Sequence, residues 1–273
     1  MPVDPPQRTC AVVGSPIAHS LSPVLHRAAY RHLGLRWEYT RHEVPEGELA
    51  AFVGGLDATW RGLSVTMPLK REALKLADSA SPSAELARAA NTLLFEPDGS
   101  VHADNTDIGG MVDSVRAADG ELGRSACVWG GGSTAASAMV ALAAMQMQDV
   151  HLHVRDEARA RATLDAASRA GVEVRVAGWK VGPACGVAGL VVLTAPAGAA
   201  DAVAADLAAQ ADPDRVLFDV VYDPWPTVAA ATWQRAGGRI TSGLDLLVHQ
   251  AVGQVRLMTG HDLPASVLYA ALP

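Results

Sequence analysis

A lysine at the junction of an apolar strand and a helix is the first residue with an evident chemical use. The stretch Ser64-Val65-Thr66-Met67-Pro68-Leu69-Lys70 runs from a β-prone segment into a proline, which predicts a helix over 68–78 with Lys70 in its first turn. The helix dipole is positive there and disfavours an ammonium group by about 0.3–1 kcal/mol. This position suits acid/base chemistry, and the alternative is a surface lysine beside Arg71.

Other polar side chains in the N-terminal part have the types needed to bind a hydroxylated acid. The hydroxyls of Ser20 and Ser22 can donate hydrogen bonds to a carboxylate. Thr66, Asn91 and Asp107 carry groups that bind hydroxyls, and Asp107 can also move a proton. Each has a structural alternative, because Ser22 and Asp107 also fit as helix caps and Asn91 as a turn residue.

A glycine-rich turn marks a second kind of site. Segment 127–135 reads Cys-Val-Trp-Gly-Gly-Gly-Ser-Thr-Ala, so a strand ends in glycines and a helix begins at once. Gly130, Gly132 and Ala135 fit the G-x-G-x-x-G/A spacing that places a pyrophosphate on a helix N-terminus. A plain tight turn is the alternative, and the strand–loop–helix setting favours nucleotide binding.

The end of the next strand gives conflicting indications of which nucleotide binds. An acidic residue about 20 residues after the glycines, here Asp156, suits the ribose hydroxyls of NAD. Arginines at this point, here Arg155 and Arg159, suit the 2′-phosphate of NADP. Because Asp156 also fits as the cap of the following helix, the arginines favour NADP, with NAD as the alternative.

Strands and helices alternate in the N-terminal part, which predicts a parallel or mixed sheet. A hairpin turn is predicted at 97–99, between strands 91–95 and 100–104, and a further helix near residue 108. The other predicted strands cover 9–14, 37–43 and 61–66, and the predicted helices cover 23–33, 45–54 and 68–78.

From residue 123 the pattern becomes that of a doubly wound, Rossmann-type α/β domain with a parallel sheet. Alanine-rich helices such as 135–145, 157–170 and 200–210 separate short apolar strands. The amphipathic segment 244–259 has no strand after it and is expected to pack on the first domain. The predicted strands cover 126–130, 150–154, 172–176, 190–194, 216–220 and 239–241.

Composition limits the classes of partner. At 273 residues the chain suggests two domains, using roughly 150 residues per domain, and 49% hydrophobic residues suffice for a core in each. A formal net charge of −7, without a basic cluster, argues against nucleic acid or an anionic membrane as the main partner. A small anionic ligand is compatible with this charge, because a few local cations and backbone N–H groups can hold one.

Cysteine and histidine usage predicts neither disulfides nor a metal site. Cys10, Cys127 and Cys185 are isolated and lack metal-ligand spacing, and His151 and His153 are expected to be packing or surface residues. The N-terminus is polar and no apolar segment approaches the ~20 residues that cross a bilayer, so a soluble, cytoplasmic protein is expected.

Taken together, these stretches resemble the shikimate dehydrogenase family, in the family's order and over nearly the whole chain. The resemblance rests on segments 14–23, 64–70, 91–92, 104–107, 127–135, 219–226 and 242–250. Two positions depart from the family pattern. Ser133 stands where the glycine loop commonly has another glycine, and Val154-Arg155-Asp156 stands where Asn-Arg-Thr is usual.

The resemblance implies roles for individual residues. Lys70 and Asp107 match the catalytic pair. The substrate-binding positions are Ser20 and Ser22 for the carboxylate, and Thr66, Asn91, Tyr222 and Gln250 for the hydroxyls and ring. The cofactor-binding positions are Gly130, Gly131, Gly132, Ser133, Thr134, Val154, Arg155, Asp156, Arg159, Val220 and Gly243.

The resemblance also implies an architecture and a reaction. Residues 1–106 plus 245–273 would form the substrate-binding and catalytic domain, and 107–244 the dinucleotide-binding domain. The expected activity is NADP-dependent reduction of 3-dehydroshikimate to shikimate, in aromatic amino-acid (chorismate) biosynthesis. The alternatives are an NAD-dependent quinate/shikimate dehydrogenase and a non-catalytic nucleotide or metabolite sensor. The oligomeric state is left open between monomer and homodimer.

Overall fold

A computed structural model describes residues 8–273, apart from the side chain of Arg159. The chain divides into two compact units. The first unit contains the described residues up to Asp107 together with Val248–Pro273, and the second unit contains Ile108–Leu247. No helix among the described residues is long and apolar enough to span a bilayer.

The described residues contain twelve strands and eleven α-helices. The strands are β1 (Arg8–Gly14), β2 (Trp37–Glu43), β3 (Trp60–Val65), β4 (Ser79–Ala80), β5 (Thr92–Phe95), β6 (Val101–Asp104), β7 (Ser125–Trp129), β8 (Asp149–His153), β9 (Val174–Ala177), β10 (Leu190–Leu193), β11 (Val216–Asp219) and β12 (Arg239–Ser242). The helices are α1 (Ser22–His32), α2 (Leu49–Gly54), α3 (Lys70–Leu76), α4 (Pro82–Ala87), α5 (Thr106–Ala117), α6 (Ser133–Ala144), α7 (Arg161–Arg169), α8 (Ala204–Ala208), α9 (Val228–Arg235), α10 (Gly243–Thr259) and α11 (Ala265–Tyr269).

The sheet of the first unit is mixed, in the order β2-β1-β3-β5-β6-β4. β1 pairs in parallel with β2 and β3, whereas β5 is antiparallel to β3 and β6 because the predicted hairpin turn joins β5 to β6. Leu63, Leu69 and Leu93 are fully buried in the core beside this sheet. The sheet therefore holds the ends of β3 and β6, and the start of β5, in fixed positions.

The sheet of the second unit is fully parallel, in the order β12-β11-β10-β7-β8-β9. The chain order reverses between β7 and β10, and in doubly wound folds a ligand binds outside the carboxyl ends of the strands at this point. Trp129, Phe218 and Trp233 fill the core. All six predicted strands are confirmed, and so is the Rossmann-type fold class.

Several helix starts differ from the prediction. α3 begins at Lys70 and not at Pro68, because the chain first makes a turn in which Leu69 N donates to Thr66 O over 2.9 Å. α2 likewise begins at Leu49, after a turn closed by Glu48 N and Pro45 O at 3.2 Å.

Two predicted helices and one predicted cap also need correction. The helices predicted over 157–170 and 200–210 each begin as a short 3₁₀ turn, Glu157–Ala160 and Asp201–Val203. The capping role of Ser22 was wrong, because Ser22 is itself the first residue of α1 and no side chain caps that end.

Candidate active site

The lysine and aspartate predicted to act together do meet in the first unit. Lys70 Nζ donates a hydrogen bond to Asp107 Oδ2 over 2.5 Å, and the two side chains are only 17% and 12% exposed. Both residues lie in the first turn of a helix, α3 and α5 respectively. The dipole of α5 stabilises the carboxylate and that of α3 disfavours the ammonium, so the partner charge is what holds Lys70 in place. The cap of α5 is Asn105, whose Oδ1 accepts from Asp107 N over 3.2 Å, so the Asp107 carboxylate is left for Lys70.

Asn91, just before β5, fixes the other carboxylate oxygen. Its Nδ2 donates to Asp107 Oδ1 over 2.8 Å, to Thr106 Oγ1 over 2.9 Å and to Gln250 Oε1 over 3.4 Å. Its Oδ1 accepts from Thr106 N and from Thr92 Oγ1, each over 2.8 Å. Because the Asp107 carboxylate only accepts and the Thr106 N–H only donates, the Asn91 amide has one favourable orientation and holds the carboxylate in one position.

Behind Asn91 lies Gln254, which is 1% exposed. Its Nε2 donates to Asn91 O and to Thr92 Oγ1, each over 3.0 Å. Its Oε1 accepts from Ser64 Oγ over 2.7 Å and from His26 Nε2 over 3.2 Å. The sequence analysis missed Gln254, Ser64 and His26; the available signal was that Gln254 lies four residues after Gln250, on the same face of α10.

The two serines predicted to hold a carboxylate connect to this network through Tyr39. The Tyr39 hydroxyl donates to Ser64 Oγ over 2.5 Å and is also hydrogen-bonded to Ser22. Burial raises the pKa of Tyr39, and the hydrogen bonds with Ser64 and Ser22 oppose that rise without cancelling it, so the phenol stays protonated. Ser22 N donates to Ser20 Oγ over 3.3 Å, which places both hydroxyls at the start of α1.

Thr66 lies beside the loop that carries these serines. Its N–H donates to Val13 O over 2.9 Å, immediately before Gly14. A Cβ on Gly14 would lie 2.4 Å from Thr66 Cγ2 and 2.8 Å from Met67 O. Only glycine therefore lets the serine loop leave β1 so close to Thr66.

In the second unit, the glycine loop is a backbone cradle. Gly130 has φ +120°, and a Cβ on it would lie 2.4 Å from Thr194 Oγ1. Gly130 N donates to His153 O over 3.0 Å, and Gly132 occupies the N-cap position of α6, so Ser133 and Thr134 form its first turn. Gly131 packs on Ala160, whose Cα would lie 3.1 Å from a Cβ there. Exposed N–H groups at such a helix start suit a pyrophosphate.

The segment after β8 presents its arginine and uses its aspartate locally. The guanidinium of Arg155 is exposed and lies 5.2 Å from the centroid of the Trp179 ring. Asp156 Oδ1 accepts from Ala158 N over 2.9 Å and so caps the following 3₁₀ turn. This is the capping role that the sequence also allowed for Asp156. Val154 is buried, and the side chain of Arg159 lies outside the described residues.

The remaining predicted residues of the second unit follow β11. A Cβ on Gly243 would lie 2.0 Å from Val220 O. Val220 and Gly243, both predicted to bind the cofactor, are therefore in a contact that only glycine permits. Asp219 accepts from Val221 N over 3.1 Å and anchors this turn; burial raises the pKa of Asp219, and its hydrogen bonds only partly oppose the rise. Tyr222 is 37% exposed, and partial burial raises its pKa.

Comparisons with known proteins identify the family of the chain. Residues 12–93 match the model of the shikimate dehydrogenase substrate binding domain, and residues 243–272 match that of the shikimate 5′-dehydrogenase C-terminal domain. A shikimate dehydrogenase (NADP(+)) of Oleidesulfovibrio alaskensis is 35% identical over 269 residues, which cover 95% of this chain and 92% of that protein. The chain belongs to the shikimate dehydrogenase family.

Solved shikimate dehydrogenases have a fold similar to that of nearly the whole chain. A shikimate 5-dehydrogenase of Mycobacterium fortuitum is 41% identical, with a TM-score of 0.89 over 99% of this chain and all of that one. The shikimate 5-dehydrogenase of Thermus thermophilus, solved in complex with NADP(H) and shikimate, is 29% identical, with a TM-score of 0.85 over 97% of this chain and 98% of that one.

Within each unit, the predicted residues of the shikimate dehydrogenase site form connected groups. In the first unit, one hydrogen-bonded network joins six of them: Ser20, Ser22, Lys70, Asn91, Asp107 and Gln250. In the second unit, the glycine loop meets the end of β8, and Val220 meets Gly243. Thr66 lies beside the serine loop, and Tyr222 follows Val220 in the chain.

Proposed function

We propose that this protein is an NADP-dependent shikimate dehydrogenase. It reduces 3-dehydroshikimate to shikimate, reversibly, in aromatic amino-acid (chorismate) biosynthesis. The observation that carries the proposal is the partly buried ion pair of Lys70 and Asp107, held by Asn91. An ammonium group fixed in a partly buried site can protonate a carbonyl oxygen, which is the acid/base task that ketone reduction sets.

Lys70 acts as the general acid. It donates a proton to the carbonyl oxygen as the ketone becomes an alcohol, and in the reverse direction it accepts the hydroxyl proton. Bound NADPH supplies the hydride. Asp107 binds a neighbouring hydroxyl and keeps Lys70 Nζ in position, because Asn91 fixes the carboxylate from its other side.

The remaining polar residues orient the substrate. Ser20 and Ser22 hold the carboxylate at the start of α1, which fixes one end of the ring. Four residues bind the hydroxyls and ring: Thr66, Asn91, Tyr222 and Gln250. We assign this task to residues 1–106 plus 245–273, with Tyr222 contributed from the rest of the chain.

Residues 107–244 bind the dinucleotide. The backbone of Gly130–Thr134 suits the pyrophosphate, because Gly130 leaves a space that any side chain would fill. Arg155, with Arg159, binds the 2′-phosphate, and the capping bond of Asp156 supports this choice of NADP over NAD. Val154 and Asp156 flank that phosphate site, and Val220 and Gly243 lie by the nicotinamide. The free thiols of this chain fit a reducing cytoplasm.

A four-way assay tests the proposal. Initial rates are measured with shikimate or quinate as the alcohol, and with NADP⁺ or NAD⁺ as the oxidant. We expect shikimate with NADP⁺ to give the highest kcat/KM. A preference for quinate or NAD⁺ would support the quinate/shikimate dehydrogenase instead. Binding of both ligands without turnover in all four mixtures would show a sensor.

A further inference from the structure

Two cysteines and a histidine that are far apart in the sequence meet in the core of the second unit. Cys127 lies on β7, His153 ends β8, and Cys185 lies in the 3₁₀ turn Pro183–Gly186. Their ligand atoms all lie within 4.8 Å of one another, and Cys185 Sγ is 3.3 Å from His153 Nε2. All three side chains are buried. The expectation that these cysteines are isolated is therefore wrong for Cys127 and Cys185.

The imidazole of His153 is oriented as a ligand. Its Nδ1 lies 3.1 Å from Gly178 O, and because a carbonyl only accepts, Nδ1 carries the hydrogen. Nε2 is then left with a lone pair, and Cys185 Sγ lies 3.3 Å from it. Trp129 stacks on the ring at 4.2 Å between centroids and 7° between planes, which holds its plane. A backbone carbonyl on the second nitrogen is the usual support of a metal-bound histidine.

We propose that Cys127, His153 and Cys185 form a binding site for one thiophilic divalent cation of the Zn²⁺ type. Both thiols release their protons to solvent, and two S–metal bonds and one N–metal bond form without any redox change. Two thiolates and a neutral imidazole balance the charge of the ion, as a buried site requires. Two cysteines and one histidine are also an established zinc ligand set, with a fourth position left for a small ligand.

Two simpler accounts leave part of the cluster unexplained. Thiols pack well as small apolar groups, and the Cys185 thiol also donates a hydrogen bond to His153 Nε2, but S–H is a weak donor, so packing gives little reason to bury an imidazole here. A disulfide between Cys127 and Cys185 would make no use of His153. A cation uses all three donors.

The site is next to the two loops proposed to bind the cofactor, which begin at Gly130 and Val154. Trp129 and His153 each end a strand, and the next residues are Gly130 and Val154. Gly130 N also donates to His153 O. A bound ion would therefore fix the ends of β7 and β8 from behind, and its binding is measurable whether or not the proposed reaction is correct.

Metal titration tests the site. The chelator-treated protein is titrated with Zn²⁺ by calorimetry and with Co²⁺ by absorbance, where thiolate ligands give charge-transfer bands. We expect one ion per chain. In Cys185→Ser and His153→Gln, affinity should fall by at least about 100-fold, more than the loss of an outer hydrogen-bond partner causes. Cys10→Ser is the matched control and should bind normally, because Cys10 lies on β1 of the first unit.

Three results would overturn the proposal. The first is no stoichiometric binding of either ion to the reduced protein. The second is unchanged binding in Cys185→Ser and His153→Gln when circular dichroism shows that both are folded. The third is quantitative formation of a Cys127–Cys185 disulfide under mild oxidation in a protein that binds neither ion when reduced.

Discussion

The candidate sites of the two units are built from different chemical groups, side chains in the first unit and backbone in the second. In the first unit, the candidate site consists of buried side chains, and Asn91, Asp107 and Gln254 each hold a neighbour by hydrogen bonds. In the second unit, the glycine loop works through its backbone, and Gly130 matters for the side chain it lacks. The first site should therefore be sensitive to changes of functional group, and the second to added volume.

The largest effect is expected from Lys70→Ala. Loss of the general acid should lower kcat by about 10³-fold, within the usual range for proton-transfer groups. The measurement is steady-state turnover of shikimate with NADP⁺. Lys75→Ala is the control, because Lys75 lies on the same helix but is exposed. Turnover near normal in Lys70→Ala would show that Lys70 is not the general acid.

Gly130→Ala tests the backbone cradle. The new Cβ would meet Thr194 Oγ1 and the residue would keep a left-handed φ, which costs about 1–3 kcal/mol in a packed site. The KM for NADP⁺ should rise about 10-fold, with kcat less affected. Gly182→Ala is the control, because nothing lies within 4 Å of a Cβ there. Equal kinetics for the two variants would contradict the cradle.

Arg155→Ala tests the proposed contact with the 2′-phosphate of NADP. Removing a charge-assisted contact to phosphate should lower the NADP⁺ to NAD⁺ ratio of kcat/KM by about 10-fold. Arg175→Ala, an exposed arginine on β9, should leave the ratio unchanged. If Arg155→Ala left the NADP⁺ to NAD⁺ ratio of kcat/KM unchanged, the preference for NADP⁺ would have to come from other residues.

The smallest effect is expected from His26→Phe, which should change the pH dependence of folding stability. Burial lowers the pKa of His26 to about 3, opposed by its hydrogen bond to Gln254, whereas the unfolded chain titrates near 6.5. The neutral ring therefore stabilises the fold fully above pH 6.5, and this contribution is lost as the pH falls towards 3. The slope is at most about 1.4 kcal/mol per pH unit.

Urea unfolding at about pH 7, 5.5 and 4.5, one value above and two below the ordinary histidine pKa of about 6.5, measures this slope. Phenylalanine keeps the ring that stacks on Tyr39 at 4.0 Å but cannot be protonated, so the variant should lose less stability on acidification. His261→Phe, at an exposed position, is the control. Parallel pH profiles of His26→Phe and the wild type would contradict the argument.

Local signals in the sequence predicted much of this molecule. The alternation of apolar strands with alanine-rich helices located every strand of the second sheet, because a parallel strand buried on both faces is a short apolar run. The starts of α2 and α3 were wrong, because proline was assigned to the first helical position while each chain segment makes a further turn. Hydrogen bonds of that turn are not visible in residue types.

Contacts between distant segments could not be predicted. Gln254 joins α10 to β3, β5 and α1, and only the finished sheet brings Ser64, Thr92 and His26 to it. The meeting of Cys127 with Cys185 has the same origin, because Cys185 lies in the 3₁₀ turn Pro183–Gly186 and only the folded unit brings that turn against β7. The motif residues themselves were found because each sits at the end of a predictable element.

The most direct test of the account is the affinity of Lys70→Ala for shikimate. The central claim is that the partly buried Lys70–Asp107 pair of the first unit moves a proton, while other residues bind the carboxylate, hydroxyls and ring of the substrate. Calorimetric titration without nucleotide measures the dissociation constant apart from turnover. The account predicts a Kd within about threefold of the wild type, because hydrogen bonds of about 0.5–1.5 kcal/mol from other residues remain. A rise in Kd as large as the fall in kcat/KM would show that Lys70 binds the substrate and does not move the proton.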